Sequence, residues 1–183
     1  MNTEIGTDLS KALILLQSGQ TVAVPTETVY GLAADANNDD AVLDIFKAKG
    51  RPTSNPLILH FASLAQALPY IEVFPEVFQK LASVFCPGPL TFIVPKSSLV
   101  SPLITGGQDT VAIRFPKHPA LQELLSALGR PLAAPSANLY GQLSPTTATH
   151  VLEQLTGRIP YILDGGACWE GLESTIIGLE NER

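Results

Sequence analysis

Only two cysteines occur in the 183 residues, Cys86 and Cys168, too few and too far apart for a metal knuckle or a disulfide framework. Both read as reduced thiols, and Cys86 has no neighbouring cation in sequence to activate it. No apolar run approaches the roughly 20 residues that a membrane span requires, and no basic stretch precedes an apolar one at the N-terminus. Neither secretion nor membrane insertion is expected, and the cytoplasm is the default location. Positive charge is scarce: 11 Lys and Arg stand against 17 Asp and Glu, a formal net charge of −6. Broad electrostatic binding of nucleic acid is disfavoured, because nonspecific affinity comes mostly from cations neutralising phosphates. A local basic groove is still open. Also lacking are a Gly-rich loop ending in Lys-Ser or Lys-Thr, a GxGxxG opening a helix, a hydrolase elbow and a zinc-binding His-Glu pattern. A nucleotide, if one is handled, is held by other parts.

With 45% of its residues apolar, the chain can bury a sizeable core, and residues 1–183 read as a single domain. Against this acidic background, Lys47, Lys49 and Arg51 crowd three cations into five residues. Like charges held close cost Coulomb energy unless water or an anion faces them, so a phosphate is one candidate counter-ion. The two lysines read equally well as residues attracted to a helix C-terminus. Arg51 lies past the Gly50 stop, in a loop rich in Pro and Asn, and favours the anion site.

Asp8 precedes Leu9, Ala12, Leu13, Leu15 and Leu16 at helical spacing, and Gly19 supplies a stop. Further helices are expected from Asp39 or Asp40 to Gly50, Ser63 to Leu68, Pro75 to Phe85, His118 to Leu128 and Thr146 to Leu155. Short apolar runs at 21–24, 90–94, 111–115 and 132–134 each meet a proline, which ends a strand by removing a backbone donor. The polar residues that follow, Thr26, Lys96, Lys117 and Ser136, are candidates for one common crevice. Strands are also expected at Leu57 to Phe61, Ile159 to Leu163 and Ser174 to Leu179. The interleaving predicts an α/β fold: a single-domain open, twisted, mixed parallel and antiparallel sheet flanked by helices, with a concave ligand cavity.

Several motifs resemble, in order, those of the YrdC/TsaC family, the threonylcarbamoyl-AMP synthases of tRNA modification. They are Pro25 to Leu32, Lys47 to His60, Pro87 to Thr91, Arg114-Phe115-Pro116, Pro135 to Asn138, Asp164-Gly165-Gly166 and Glu173 to Ile176. The resemblance implies condensation of L-threonine with bicarbonate or CO2 to an N-carboxy-threonine, whose carboxylate attacks the α-phosphate of ATP. Threonylcarbamoyl-AMP and pyrophosphate result, and a partner threonylcarbamoyl-transferase complex passes the group to adenosine 37 of tRNA. Contact with tRNA is then indirect, and no membrane is involved. The protein is expected to be a monomer or weak homodimer, with Mg2+ accompanying ATP and no protein-ligated metal.

Phosphoryl transfer builds charge on the phosphate oxygens and the leaving pyrophosphate, which fixed cations stabilise. Lys49 and Arg51 take that catalytic role, and their alanine variants are expected to lose adenylate formation at least about tenfold with the fold intact. The resemblance adds Asn55, Thr110, Ser136, Asn138 and Ser144 to the ATP side. On the threonine side it implies Arg114 for the carboxylate, with Thr28, His60, the Ala134 backbone and Ser174 for the amine and hydroxyl. By composition alone, His60 is a core or strand-edge histidine, Ser136 and Asn138 cap a turn, and Arg114 is open between substrate cation and strand-edge ion pair. Glu27 reads as a surface or turn carboxylate outside the catalytic set.

Two departures stand out. Tyr140 replaces a serine usual in the family, and the section from Gly129 on is similar to the longer, two-domain form. In that form the last strand continues into a linker that adds ATP contacts; here those contacts are expected to be absent or supplied by Arg183. Alternatives are a paralogue with altered substrate and a double-stranded RNA-binding module.

Overall fold

In the computed structural model, which describes residues 2–179, a short strand β1 (Glu4–Gly6) leads into helix α1 (Leu9–Gln17). The Asp8 carboxylate caps α1 by accepting the Lys11 N–H at 3.0 Å. Strands β2 (Val22–Val24) and β3 (Gly31–Asp35) are buried throughout, as suits their apolar residues, and the one acid, Asp35, pairs with Arg130 at 2.9 Å. Helix α2 (Asp39–Lys49) begins one residue ahead of the expected caps, because Asn38 accepts the N–H groups of Asp40 and Ala41. Asp39 and Asp40 instead occupy the first turn, where the helix dipole favours acids. Gly50, in the left-handed region at φ 63°, stops the helix.

The remaining elements are β4 (Ile58–His60), α3 (Leu64–Ala67), α4 (Glu76–Phe85), β5 (Leu90–Pro95), α5 (Pro102–Thr105) and β6 (Thr110–Arg114). They are followed by α6 (Pro119–Leu128), β7 (Leu132–Ala133), α7 (Ala148–Leu155), β8 (Tyr161–Leu163) and β9 (Thr175–Ile177). Among the described residues, nine strands join one mixed sheet in the order β1-β8-β2-β3-β7-β4-β6-β5-β9. This is the open α/β architecture that the sequence predicts.

Alternate residues of β2 serve the two faces. Val22 and Val24 pack with Leu16 of α1 and Leu121, Leu124 and Leu125 of α6. Ala23 faces the larger core, which holds Ile45 and Phe46 of α2, Val151 of α7 and Phe78 of α4. Phe74, Phe78 and Phe92 pack ring to ring there, with centroids 5.1–6.0 Å apart. Burying each such ring contributes about 1.5–3 kcal/mol.

One expectation fails. Strand β5 runs antiparallel to β6, so Lys96 and Lys117 leave opposite ends of the sheet and share no crevice. Lys96 instead bridges to Ile71.

The register aligns one row of side chains on a single face. Leu132 lies opposite His60, His60 opposite Arg114, Arg114 opposite Thr91 and Thr91 opposite Ile176. Leu132 is sealed beneath α6, whereas Ile176 at the far end is exposed. The polar middle of the row, His60-Arg114-Thr91, therefore lies between a covered half-face and an open one.

Candidate active site

The loop after β2 supplies the acid to this row. Thr26 Oγ1 accepts the N–H groups of Thr28 and Val29 at 3.0 and 3.2 Å and donates to the Val29 carbonyl at 2.6 Å. This local turn sets Glu27 and Thr28 against Arg114. Arg114 Nη2 donates to Glu27 Oε1 and to Thr28 Oγ1, each at 2.8 Å. The second carboxylate oxygen of Glu27 accepts the Lys117 backbone N–H at 3.0 Å. Glu27 sits in that turn, as expected, but is wholly buried, so the expectation of a surface carboxylate is corrected: the buried guanidinium needs a counter-charge. The Nε of Arg114 is buried too and has no hydrogen-bond partner.

His60, beside Arg114, is also buried. Burial and the neighbouring guanidinium push its pKa down to about 3, so the imidazole is neutral near pH 7. Its Nδ1 lies 3.3 Å from the Ile58 carbonyl oxygen, which can only accept, so Nδ1 carries the proton. Nε2 is then left with a lone pair for an ammonium or hydroxyl. Ser174 hydrogen-bonds Thr91, oxygen to oxygen, at 2.7 Å, which brings its hydroxyl to the same row. Thr28, His60, Arg114 and Ser174, which the resemblance groups on the threonine side, thus lie together. Ala134 is tied to β4 by its own N–H, which donates to the Ile58 carbonyl at 3.0 Å, so only its backbone oxygen is open to a ligand.

A second cluster forms where α2 ends. The three cations are dispersed rather than pooled. Lys47 is exposed and pairs with Asp44 at 2.7 Å, an ordinary helix-surface contact. Lys49 is only 2% exposed, and its ammonium donates to the Ser136 carbonyl, to the Asn138 carbonyl at 2.6 Å and, more loosely, to Asn138 Oδ1 at 3.4 Å. Burial and Arg51 push its pKa down to about 7, while Glu173 acts in the opposite sense. Removing Lys49 would deprive three acceptor oxygens of their donor.

Arg51 donates to the Pro56 carbonyl at 2.9 Å and lies 6.0 Å from the centre of the Tyr140 ring. Tyr140 in turn accepts from Asn55 Nδ2 at 2.9 Å, so the phenol that replaces the usual serine organises both residues. Asn138 is fixed by donation to the Leu139 and Gln142 carbonyls, and Ser144 donates to Glu173 at 2.7 Å. Lys49, Arg51, Asn55, Ser136 and Asn138 are thus brought together around the Ser136–Tyr140 loop. Thr110 stands apart, four residues along β6 from Arg114 or about 13 Å by strand rise, on the same face.

The loop after β8 closes one side. Tyr30 donates its hydroxyl proton to the Gly166 carbonyl at 2.7 Å and accepts the Gly165 N–H. A Cβ on Gly165 would meet His118 and Pro25 at 2.6 Å, so that approach requires glycine. Glu27, Thr91, Tyr140 and Glu173 all lie in the site yet escape sequence reasoning about roles; a charged residue set between two threonines after an apolar run was the available signal for Glu27. Among the described residues no group of three or more His, Cys, Asp or Glu is placed to hold a metal ion. No helix there is long and apolar enough to cross a membrane.

The open mixed sheet, the arginine-acid pair on its face and the lysine-bound loop beside it define an α/β domain with a buried polar cluster. The chain belongs to the Sua5/YciO/YrdC family, whose model, described as Telomere recombination, matches residues 14–183. It is 51% identical over 164 residues to the threonylcarbamoyl-AMP synthase of Pyrococcus abyssi, a match covering 90% of this chain and 48% of that one. A Vibrio vulnificus threonylcarbamoyl-AMP synthase is 40% identical over 160 residues, 86% of each chain. Among solved structures, P. abyssi Sua5 complexed with L-threonine superposes with a TM-score of 0.92 at 47% identity, covering 97% of this chain and 54% of that one. The chain spans about half the length of the Pyrococcus protein.

Proposed function

We propose that residues 1–183 form a single YrdC-like domain that makes L-threonylcarbamoyladenylate from L-threonine, bicarbonate or CO2, and ATP. The observation that carries this reading is the buried, unpartnered Nε of Arg114, a cationic donor set among a neutral histidine and the Thr28 and Ser174 hydroxyls. An amino acid with a carboxylate, an amine and a side-chain hydroxyl matches that set group for group. Kinship with threonylcarbamoyl-AMP synthases, one of them solved with L-threonine, supports the same assignment.

In this reading the threonine amine combines with bicarbonate, losing water, to give a carbamate. A carboxylate oxygen of the carbamate attacks the α-phosphorus of ATP, and the bond to pyrophosphate breaks. No protein nucleophile is required, because the attacking group is already anionic. The domain contributes positioning and fixed charge. Arg114 and His60 hold the amino acid, and Arg51 faces the phosphates. Lys49 shapes the Ser136–Asn138 loop against which the nucleotide lies. Mg2+ accompanies ATP as part of the substrate.

The product passes to a threonylcarbamoyl-transferase complex acting on tRNA position 37. The protein works in the cytoplasm as a monomer or weak homodimer and touches tRNA only indirectly. The test is pyrophosphate release from ATP with L-threonine and bicarbonate each present or omitted. Release that needs both, and that falls when L-serine replaces L-threonine, supports the proposal; ATP binding without threonine-dependent release overturns it.

A further inference from the structure

Glu27 satisfies both of its oxygens inside the protein, one on Arg114 Nη2 and one on the Lys117 N–H, and is itself wholly buried. The same Nη2 gives its second hydrogen to Thr28 Oγ1, so that nitrogen is fully engaged. The guanidinium is thereby held in one plane, with its buried Nε a donor without a partner and, among the described residues, no bond from Nη1. Glu27 is held from its own side as well: Thr26 forms the turn beneath it, and Glu170 donates its backbone N–H to the Glu27 carbonyl at 3.0 Å.

We infer that Glu27 is a positioning residue for the amino-acid carboxylate: it orients Arg114 so that the donors it leaves free, Nε and Nη1, and not Nη2, meet the ligand. The inference rests on the reading of Arg114 as the threonine-carboxylate cation. A buried arginine without a counter-charge is strongly disfavoured, which would favour a displaced side chain or a wetter pocket. With Glu27 present, the charge is compensated before the substrate arrives, and its carboxylate is recognised through directed hydrogen bonds. Simple charge attraction makes the contrary prediction, since removing Glu27 would leave a more positive pocket and tighter carboxylate binding.

Calorimetric binding of L-threonine and L-threoninamide, which lacks the carboxylate, separates these accounts in the wild type, Glu27→Gln and Glu27→Asp. The wild type is expected to prefer L-threonine. Glu27→Gln is expected to lose about tenfold or more in L-threonine affinity with little change for the amide or for ATP, and Glu27→Asp to recover part of the loss. Unchanged or tighter L-threonine binding by Glu27→Gln overturns the inference. Equal losses for L-threonine, the amide and ATP mark a merely structural role and overturn it too. If Glu27→Gln does not fold, Glu27→Asp decides: a loss confined to L-threonine supports the inference, and wild-type affinity overturns it. A wild type that binds L-threonine no better than the amide removes the underlying carboxylate reading, a failure distinct from that of the variants.

Discussion

Lys49 and Asn138, 89 residues apart in sequence, are joined at the end of α2, where the lysine ammonium donates to the asparagine carbonyl oxygen at 2.6 Å. The same ammonium reaches the Ser136 carbonyl, and the Tyr140 N–H returns a bond to the Lys49 carbonyl at 2.8 Å. Lys49→Ala would strand these buried acceptors. Its expected cost is about 2–4 kcal/mol in unfolding free energy, together with loss of adenylate formation. Urea denaturation checks this; a variant as stable as the wild type would mean that the lysine does not stitch the loop.

His60 makes stability depend on acid. The ordinary imidazole titrates near 6.5, and in the folded protein the value falls to about 3. Between those values the unfolded chain binds a proton that the folded one refuses, so stability falls as pH drops from 6.5 towards 3, and no such loss occurs above 6.5. The slope approaches about 1.4 kcal/mol per pH unit for this one group. Unfolding curves from pH 4 to 8 should be flatter for His60→Gln, and an identical slope would exclude the buried neutral imidazole.

Tyr140 is half-exposed, so its removal should matter to the site rather than to the fold. Tyr140→Phe deletes the acceptor for Asn55 Nδ2 and keeps the ring beside Arg51. ATP affinity is expected to drop about two- to tenfold, the value of one hydrogen bond, while stability changes by less than about 0.5 kcal/mol. Parallel nucleotide titrations and melting curves test the split.

Ser174 and Thr91 share a bond across β5 and the start of β9. Ser174→Ala should raise the KM for L-threonine by about two- to tenfold and leave that for ATP unchanged. Steady-state kinetics with each substrate varied would tell, and an effect on ATP alone would place Ser174 on the wrong side of the pocket.

Local chemistry made much of this fold legible in the sequence. Asp8 and Ser63 cap helices where their side chains suggest, Thr147 caps α7 one residue past the expected start at Thr146, and apolar runs ending at Pro25, Pro95 and Pro135 are strands. Harder to read were β1, β3 and α5, which are short or lie inside a motif dense with polar residues. The alignment of His60, Arg114 and Thr91 depends on pairing among β4, β5 and β6, and strand register is a long-range property. Burial of Glu27 was hidden for the same reason, since its partner lies 87 residues away. The Arg183 contact expected for ATP falls outside the described residues.

The most direct test of the account follows carbon from radiolabelled bicarbonate into a nucleotide adduct formed by this chain with ATP and L-threonine. Label is expected in threonylcarbamoyl-AMP with the wild type and at least about tenfold less with Arg114→Lys, which keeps the charge but not the fork. Absence of labelled adenylate from a folded wild type that binds both ATP and L-threonine would contradict the assignment.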